Sequence, residues 1–228
     1  INFDTITDKS ASDTTAGGFF FKKVLGQRLR LNVNENLTAR LTSAIANEFY
    51  NKQVVGIESN SSKQATSNTE TQVNIATGKI VDVARMDGTT DGGVGVFSNY
   101  GLVNNKGSIL IEKDSVANSN GVGIYSVNGS KAINEGTIDV SGKDGIGMLG
   151  VAYRTDSNGK NVVDEFGSAA GQGKVNIINK GNITLDGQGA TGIFAKNNKV
   201  GANLTNAIAT NDTTGKIITT GNKAVGMS

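Results

Sequence analysis

A chain of 228 residues with no histidine and no cysteine has few chemistries open to it. Without imidazole it lacks the commonest general base, the Ser-His-Asp arrangement and the commonest metal ligand. Without thiols it can form neither a disulfide framework nor a thiolate metal site. What remains is carboxylate, amide, hydroxyl and aromatic chemistry, which suits binding better than turnover. The first candidate site is a set of side chains two residues beyond a recurring glycine: Glu58, Phe97, Tyr125, Leu149 and Phe194. On a strand these face away from the core, where aromatics in register can stack on a sugar ring or meet a partner protein. The structural alternative is that they pack on one another. The second candidate is the insertion over 151–172, with Tyr153, Arg154, Asp156, Asp164, Glu165 and Phe166. Long loops on rigid scaffolds are where binding residues concentrate.

Three weaker features complete the inventory. Lys22, Lys23, Arg28 and Arg30 form a basic group that could meet an anion, although such residues usually line a solvated strand face. Asp91-Gly92 and Asp144-Gly145 could ligate calcium, but ordinary turn chemistry explains them without a metal. Gly93-Val94-Gly95 resembles a nucleotide loop, yet the pattern recurs along the chain with no helix after it. No catalytic, cofactor-binding or metal-ligating residue is assigned.

The elements that position these residues come from a repeat. An apolar-Gly-apolar motif occurs at Val55-Gly56-Ile57, Val94-Gly95-Val96, Val122-Gly123-Ile124, Ile146-Gly147-Met148 and Val225-Gly226-Met227, more weakly at Thr191-Gly192-Ile193. Between these lies Asn-x-Gly-x-Ile, at Asn105 to Ile109, Asn134 to Ile138 and Asn179 to Ile183, with degenerate copies at Gly78-Lys79-Ile80 and Gly215-Lys216-Ile217. From the second motif's glycine to the next first-motif glycine the steps are 17, 16, 11, 11 and 11 residues; the return steps are 22, 12, 13, 34 and 23. A constant core with variable excursions is the signature of a β-solenoid, whose extra residues leave only at corners. Ile109/Ile111, Ile138/Val140, Ile183/Leu185 and Ile217/Thr219 should point inward, as should Val94, Val96, Val122 and Ile124. The Asn105, Asn134 and Asn179 column should stack as an amide ladder.

These features predict an all-β parallel β-helix of about five to six coils over residues 54–228, with insertions at 58–72 and 151–172. Residues 1–53 read as a capping or flanking element of strands plus one short amphipathic helix over about 36–50, from Leu37, Leu41, Ile45 and Phe49. No apolar run is long enough for a membrane-spanning helix. The net charge of +2 argues against nucleic acid as a partner. A β-helical polysaccharide-degrading enzyme would need two carboxylates close together on an outer face. Neither outward column offers such a pair: one reads Val81, Leu110, Asp139, Thr184, Ile218, the other Lys79, Ser108, Thr137, Asn182, Lys216. The chain is therefore expected to be non-catalytic and to carry no cofactor.

Units such as GVGVFSNYGLVNNKGSILI (93–111) and NIINKGNITLDGQGATGIFAKN (176–197) resemble the passenger repeats of the very large fusobacterial type V autotransporter adhesins. The resemblance covers about 54–228. It implies a monomeric, surface-displayed rod at the bacterial cell surface, anchored to the outer membrane by a C-terminal barrel that this chain lacks. It also implies partners: other bacteria, and host receptors that are galactose-type glycans or immunoglobulin-like proteins. A purely structural spacer is the remaining alternative.

Overall fold

The apolar alternation is realised as 21 short strands in the computed structural model, which describes residues 2–3, 9–10, 20–25, 30–41, 54–60, 71–85, 92–112, 120–152, 175–197 and 207–228. Three strands make one rung. Rung one is β1 (Asn2–Phe3), β2 (Lys9–Ser10) and β3 (Phe20–Leu25); rung two is β4 (Arg30–Val33), β5 (Leu37–Leu41) and β6 (Val54–Asn60). Rung three is β7 (Thr71–Ile75), β8 (Ile80–Arg85) and β9 (Gly93–Asn99); rung four is β10 (Gly101–Asn105), β11 (Ser108–Glu112) and β12 (Val122–Val127). Rung five is β13 (Lys131–Asn134), β14 (Thr137–Val140) and β15 (Ile146–Val151); rung six is β16 (Val175–Asn179), β17 (Asn182–Leu185) and β18 (Thr191–Lys196). Rung seven is β19 (Ala207–Asn211), β20 (Lys216–Thr219) and β21 (Val225–Met227).

Each strand pairs in parallel with its equivalents one rung away, giving three seven-stranded sheets. Sheet A begins with β1, sheet B with β2 and sheet C with β3. The chain is a parallel β-helix, and the N-terminal segment adds rungs to it: β4 and β5 pair in register with β7 and β8. The helix expected from residue 36 is corrected as far as residue 41, where the chain is strand β5. Leu37, Ala39 and Leu41 also alternate at i, i+2, and a free β8 edge satisfies the backbone of that alternative. Residues 42–50 of that expected helix, and most of the 58–72 and 151–172 insertions, lie outside the described residues.

The core is a narrow axial stack. Sheet B contributes the inward column Leu37, Val81, Ile109, Ile138, Ile183, Ile217. Sheet C contributes Ile57, Val96, Ile124, Met148, Ile193, Met227. Apart from those of rung seven, these side chains are fully buried, each worth about 2 kcal/mol relative to exposure.

Sheet C does not alternate simply. Its register skips the motif glycine: Val122 pairs with Val94 and Ile146, then Ile124 with Val96 and Met148. A Cβ on Gly147 would lie 2.5 Å from Ile183 Cγ2, so the glycine faces the core, and so does the residue after it. The residue before it is turned outward. Val94 and Val122, expected inside, belong instead to a second cluster with Val55, Phe97, Val127 and Val151. The glycine makes a notch that the β-branched side chain of sheet B fills, so the two sequence motifs interlock: Gly95 with Ile109, Gly123 with Ile138, Gly147 with Ile183 and Gly192 with Ile217.

The corners differ in tolerance. The described turns between sheets A and B are all tight, and parallel hydrogen bonding continues through them, as in Glu135 N to Asn105 O at 2.7 Å and Lys180 N to Asn134 O at 2.7 Å. The expected amide ladder runs inside this corner. Asn105 Nδ2 donates to Asn134 Oδ1 at 2.7 Å, Asn134 Nδ2 to Asn179 Oδ1 at 2.8 Å and Asn179 Nδ2 to Asn211 Oδ1 at 2.8 Å. Above Asn105 the column holds Ile75 and Val33, which cannot donate, so Asn105 Oδ1 has no donor. At the B-to-C corner of rungs five to seven the same position has positive φ each time, Asp144 (φ 54), Gly189 (φ 73) and Lys223 (φ 58), with Gly142 (φ 105) beside it in rung five. At that position only Gly189 adopts it without Cβ strain. Lys223→Gly is therefore expected to raise stability by about 0.5–1 kcal/mol, read from the urea midpoint.

Candidate functional site

The outward column of sheet C is in register as read: Glu58, Phe97, Tyr125, Leu149 and Phe194 lie on consecutive rungs. Its members are not equally available. Glu58 is fully buried and Phe97 is 2% exposed. The Phe97 ring meets Tyr125 edge-on, with centroids 5.3 Å apart and planes at 80°, a favoured aromatic geometry. Tyr125 and Leu149 are half-buried and pack against the second cluster; Phe194 is half-buried. Phe97 thus serves packing, and only the Tyr125, Leu149 and Phe194 end of the column is open to a partner. Phe97→Ala is expected to cost about 3 kcal/mol or more and Phe194→Ala about 1 kcal/mol, measured by urea denaturation. Tyr153, Arg154, Asp156, Asp164, Glu165 and Phe166 lie outside the described residues, as does Arg28. Arg30 is exposed at the start of β4.

On the outer face of sheet B the register corrects the sequence columns in rung three. Ile80 pairs with Ser108, and Asp82, not Val81, pairs with Leu110. The cause lies in the corner before β8: Lys79 stands between Gly78 (φ 75) and the strand, whereas Gly107, Gly136, Gly181 and Gly215 directly precede theirs. The column therefore reads Thr38, Asp82, Leu110, Asp139, Thr184, Ile218. Its two carboxylates stand two rungs apart, about 9.6 Å along the axis at the usual strand spacing, with Leu110 between them. Among the described residues no three acidic side chains converge on a metal-ligating arrangement.

A concavity lined by described residues lies on the outer face of sheet A, beside the A-to-B corner. It is an open groove of about 410 Å³ bordered by Asn32, Asn34, Asn74, Asn104, Lys106 and Glu135. Asn32, Asn74 and Asn104 occupy one outward column on rungs two to four. Asn74 Nδ2 donates to Asn32 Oδ1 at 3.0 Å and Asn104 Nδ2 to Asn74 Oδ1 at 2.8 Å. The ladder holds these amides in fixed orientations. An amide has two N–H groups and two carbonyl lone pairs, so Asn74 keeps one of each for a ligand. Lys106 and Glu135 pair at 3.6 Å at the far end, an exposed contact worth little to stability. The wall thus offers rigid donors and acceptors at one-rung intervals with no net charge. That chemistry suits a polar, neutral, extended ligand better than an ion.

Sequence reasoning missed this groove because it followed the motif glycines and the aromatics. The signal was present as asparagine between inward residues, in Leu31-Asn32-Val33 and Val73-Asn74-Ile75, and as Val103-Asn104-Asn105. At β10 the two adjacent amides sit on opposite faces, Asn104 ending the outer ladder and Asn105 beginning the inner one. Comparison with known protein families, characterised proteins and solved structures finds no match to this chain.

Proposed function

We propose that this chain is a non-catalytic display segment of a bacterial surface adhesin, which attaches the cell to host cells or to other bacteria through a glycan or protein receptor. The observation that carries the reading is the division of labour between corners. The A-to-B turns are short and laced rung to rung, while the longer excursions leave at the other two corners. A rigid scaffold that confines its variable loops in this way suits presentation. The polar groove and the Tyr125, Leu149 and Phe194 surface are the two places where the described residues could meet a receptor. The repeat's resemblance to autotransporter passengers supports a cell-surface location with anchorage to the outer membrane. Among the described residues no helix is long and apolar enough to cross a membrane. The immobilised chain should retain host cells or partner bacteria, competed by galactose or by arginine according to the receptor. Retention should fall on deletion of 151–172 or on obstruction of the groove by Asn104→Trp. No retention under any condition leaves a spacer role and overturns the proposal.

The corrected sheet B column favours one second reading, a polysaccharide hydrolase with Asp82 and Asp139 as its acid and base. Inverting enzymes hold such groups roughly 6.5–9.5 Å apart. Here Leu110 occupies the intervening rung, where water and sugar would have to pass. New reducing ends from an acidic or neutral polysaccharide, abolished by Asp139→Asn, would establish the enzyme reading over the adhesin.

A further inference from the structure

We propose that the corner between sheets C and A holds an internal water molecule beside Gly101, bonded to Ser59, Ser98 and the Thr71 carbonyl. Outside the inner amide ladder, the buried polar side chains of the described residues gather at this corner in rungs two to five. Two inward columns meet there. Sheet C brings Ser59, Ser98 and Ser126 from rungs two, three and four. Sheet A brings Thr71 and Gly101 from rungs three and four, and Ser130 follows at the entry to rung five. The five hydroxyl side chains are fully buried. Further along, the first column continues as Gly150 and Ala195, the second as Val175 and Ala207. Apolar atoms can therefore fill this corner. Rungs two to five carry hydroxyls there instead, and a buried hydroxyl costs free energy unless it is hydrogen-bonded.

Two glycines at this corner show the contrast. A Cβ on Gly150 would meet Val175 Cγ1 at 3.0 Å and Ile177 Cδ1 at 3.1 Å, an apolar lining. A Cβ on Gly101 would meet Thr71 O at 2.9 Å, Ser98 Oγ at 3.0 Å and Ser59 Oγ at 3.2 Å. Three oxygens from rungs two and three thus converge on the side of Gly101 that a side chain would cover. The turn before it is a single residue, Tyr100 at φ 56, which carries the chain straight from β9 into β10. Ser130, next in the column, brings its own hydroxyl to the corner: it donates to Val127 O at 2.7 Å and accepts from Gly101 N at 3.3 Å. Gly101 brings none. Ser59 Oγ has no hydrogen-bond partner among the described residues, a state that buried hydroxyls rarely keep. One water satisfies the set. It accepts from the Ser59 hydroxyl and donates to Thr71 O and Ser98 Oγ, the usual number of bonds for a buried water. Ser98 Oγ can accept, because its own hydrogen is directed to Ser130 Oγ at 3.4 Å. Glycine at 101 leaves the room; any larger residue would press its Cβ against all three oxygens.

The test pairs a crystal structure of the 228-residue chain, at a resolution that shows ordered solvent, with thermal unfolding of Ser59→Ala. Density for one water should stand within hydrogen-bond distance of Ser59 Oγ, Thr71 O and Ser98 Oγ. Ser59→Ala takes away one of the water's bonds and should lower the thermal midpoint by about 2–4 °C. A hydroxyl buried without any partner gives the opposite sign, because alanine then relieves its desolvation. No solvent peak at this place, or a midpoint unchanged or raised in Ser59→Ala, would overturn the proposal. A peak that exchanges for rubidium and shows its anomalous signal would make the occupant a monovalent cation, and would overturn the proposal as well.

Discussion

Asn134→Leu should destabilise the chain by about 4 kcal/mol, because it breaks the inner amide ladder at its middle. Asn134 is fully buried; it accepts from Asn105 at 2.7 Å and donates to Asn179 at 2.8 Å. Leucine matches its size but leaves Asn105 Nδ2 short of an acceptor and Asn179 Oδ1 short of a donor, each costing about 1–3 kcal/mol when buried. The same column is apolar in rungs two and three, where Val33 and Ile75 occupy it. Replacing Asn105, Asn134 and Asn179 together by isoleucine should therefore cost less than the sum of the three single substitutions, since the one ladder member left behind, Asn211, is exposed and can turn to water. Urea midpoints for the singles and the triple decide the matter. If the triple equals or exceeds the sum, the amides act as independent packing units and the ladder contributes nothing collective. Because each rung contacts only its neighbours, the single substitution should also divide unfolding into two steps, detectable as a lowered apparent m-value.

The second large effect is expected at Gly147. Alanine there would put its methyl 2.5 Å from the Gly192 carbonyl oxygen and 2.5 Å from Ile183 Cγ2. Ile183 Cγ2 is the methyl on the branched Cβ and moves only with χ1, and the carbonyl belongs to the neighbouring strand and moves only with it. Overpacking of this kind costs about 3 kcal/mol. Adding Ile183→Ala should recover part of the loss, so the double mutant should be more stable than additivity predicts by about 1 kcal/mol. A Gly147→Ala protein within about 0.5 kcal/mol of the parent in urea would show that the glycine-isoleucine interlock is not what selects glycine at this position.

Much of the architecture was legible before any coordinates. The 11-residue steps, the paired inward aliphatics of sheet B and the asparagine column all mark local, repeated environments, and each stands in the structure as read. Residues 36–41 were ambiguous because Leu37 and Leu41 satisfy a helical spacing while Leu37, Ala39 and Leu41 satisfy an extended one. Only the strand offered by Ile80–Arg85 chooses between them. The one-residue displacement of Asp82 has the same character. Gly78 looks like a motif glycine in sequence, but Lys79 separates it from its strand where the later motif glycines directly precede theirs, and pairing with β11 sets which side chain faces out.

The sequence by itself determined that this chain stacks as a solenoid, since a repeat of strand-length apolar alternation with glycine and asparagine corners can bury its narrow faces only against copies of itself. The tertiary structure alone decided three things. It set the phase of sheet C across the motif glycines from Gly56 to Gly192, because the vacant Cβ space is filled by a β-branched side chain from another sheet. It buried Phe97 while leaving Phe194 half-open on the same column, because burial depends on what lies beside a residue in space. And it gathered Asn32, Asn74 and Asn104 from three separate turns into one wall, because residues about 30 to 42 positions apart in sequence become neighbours only when the rungs are in register.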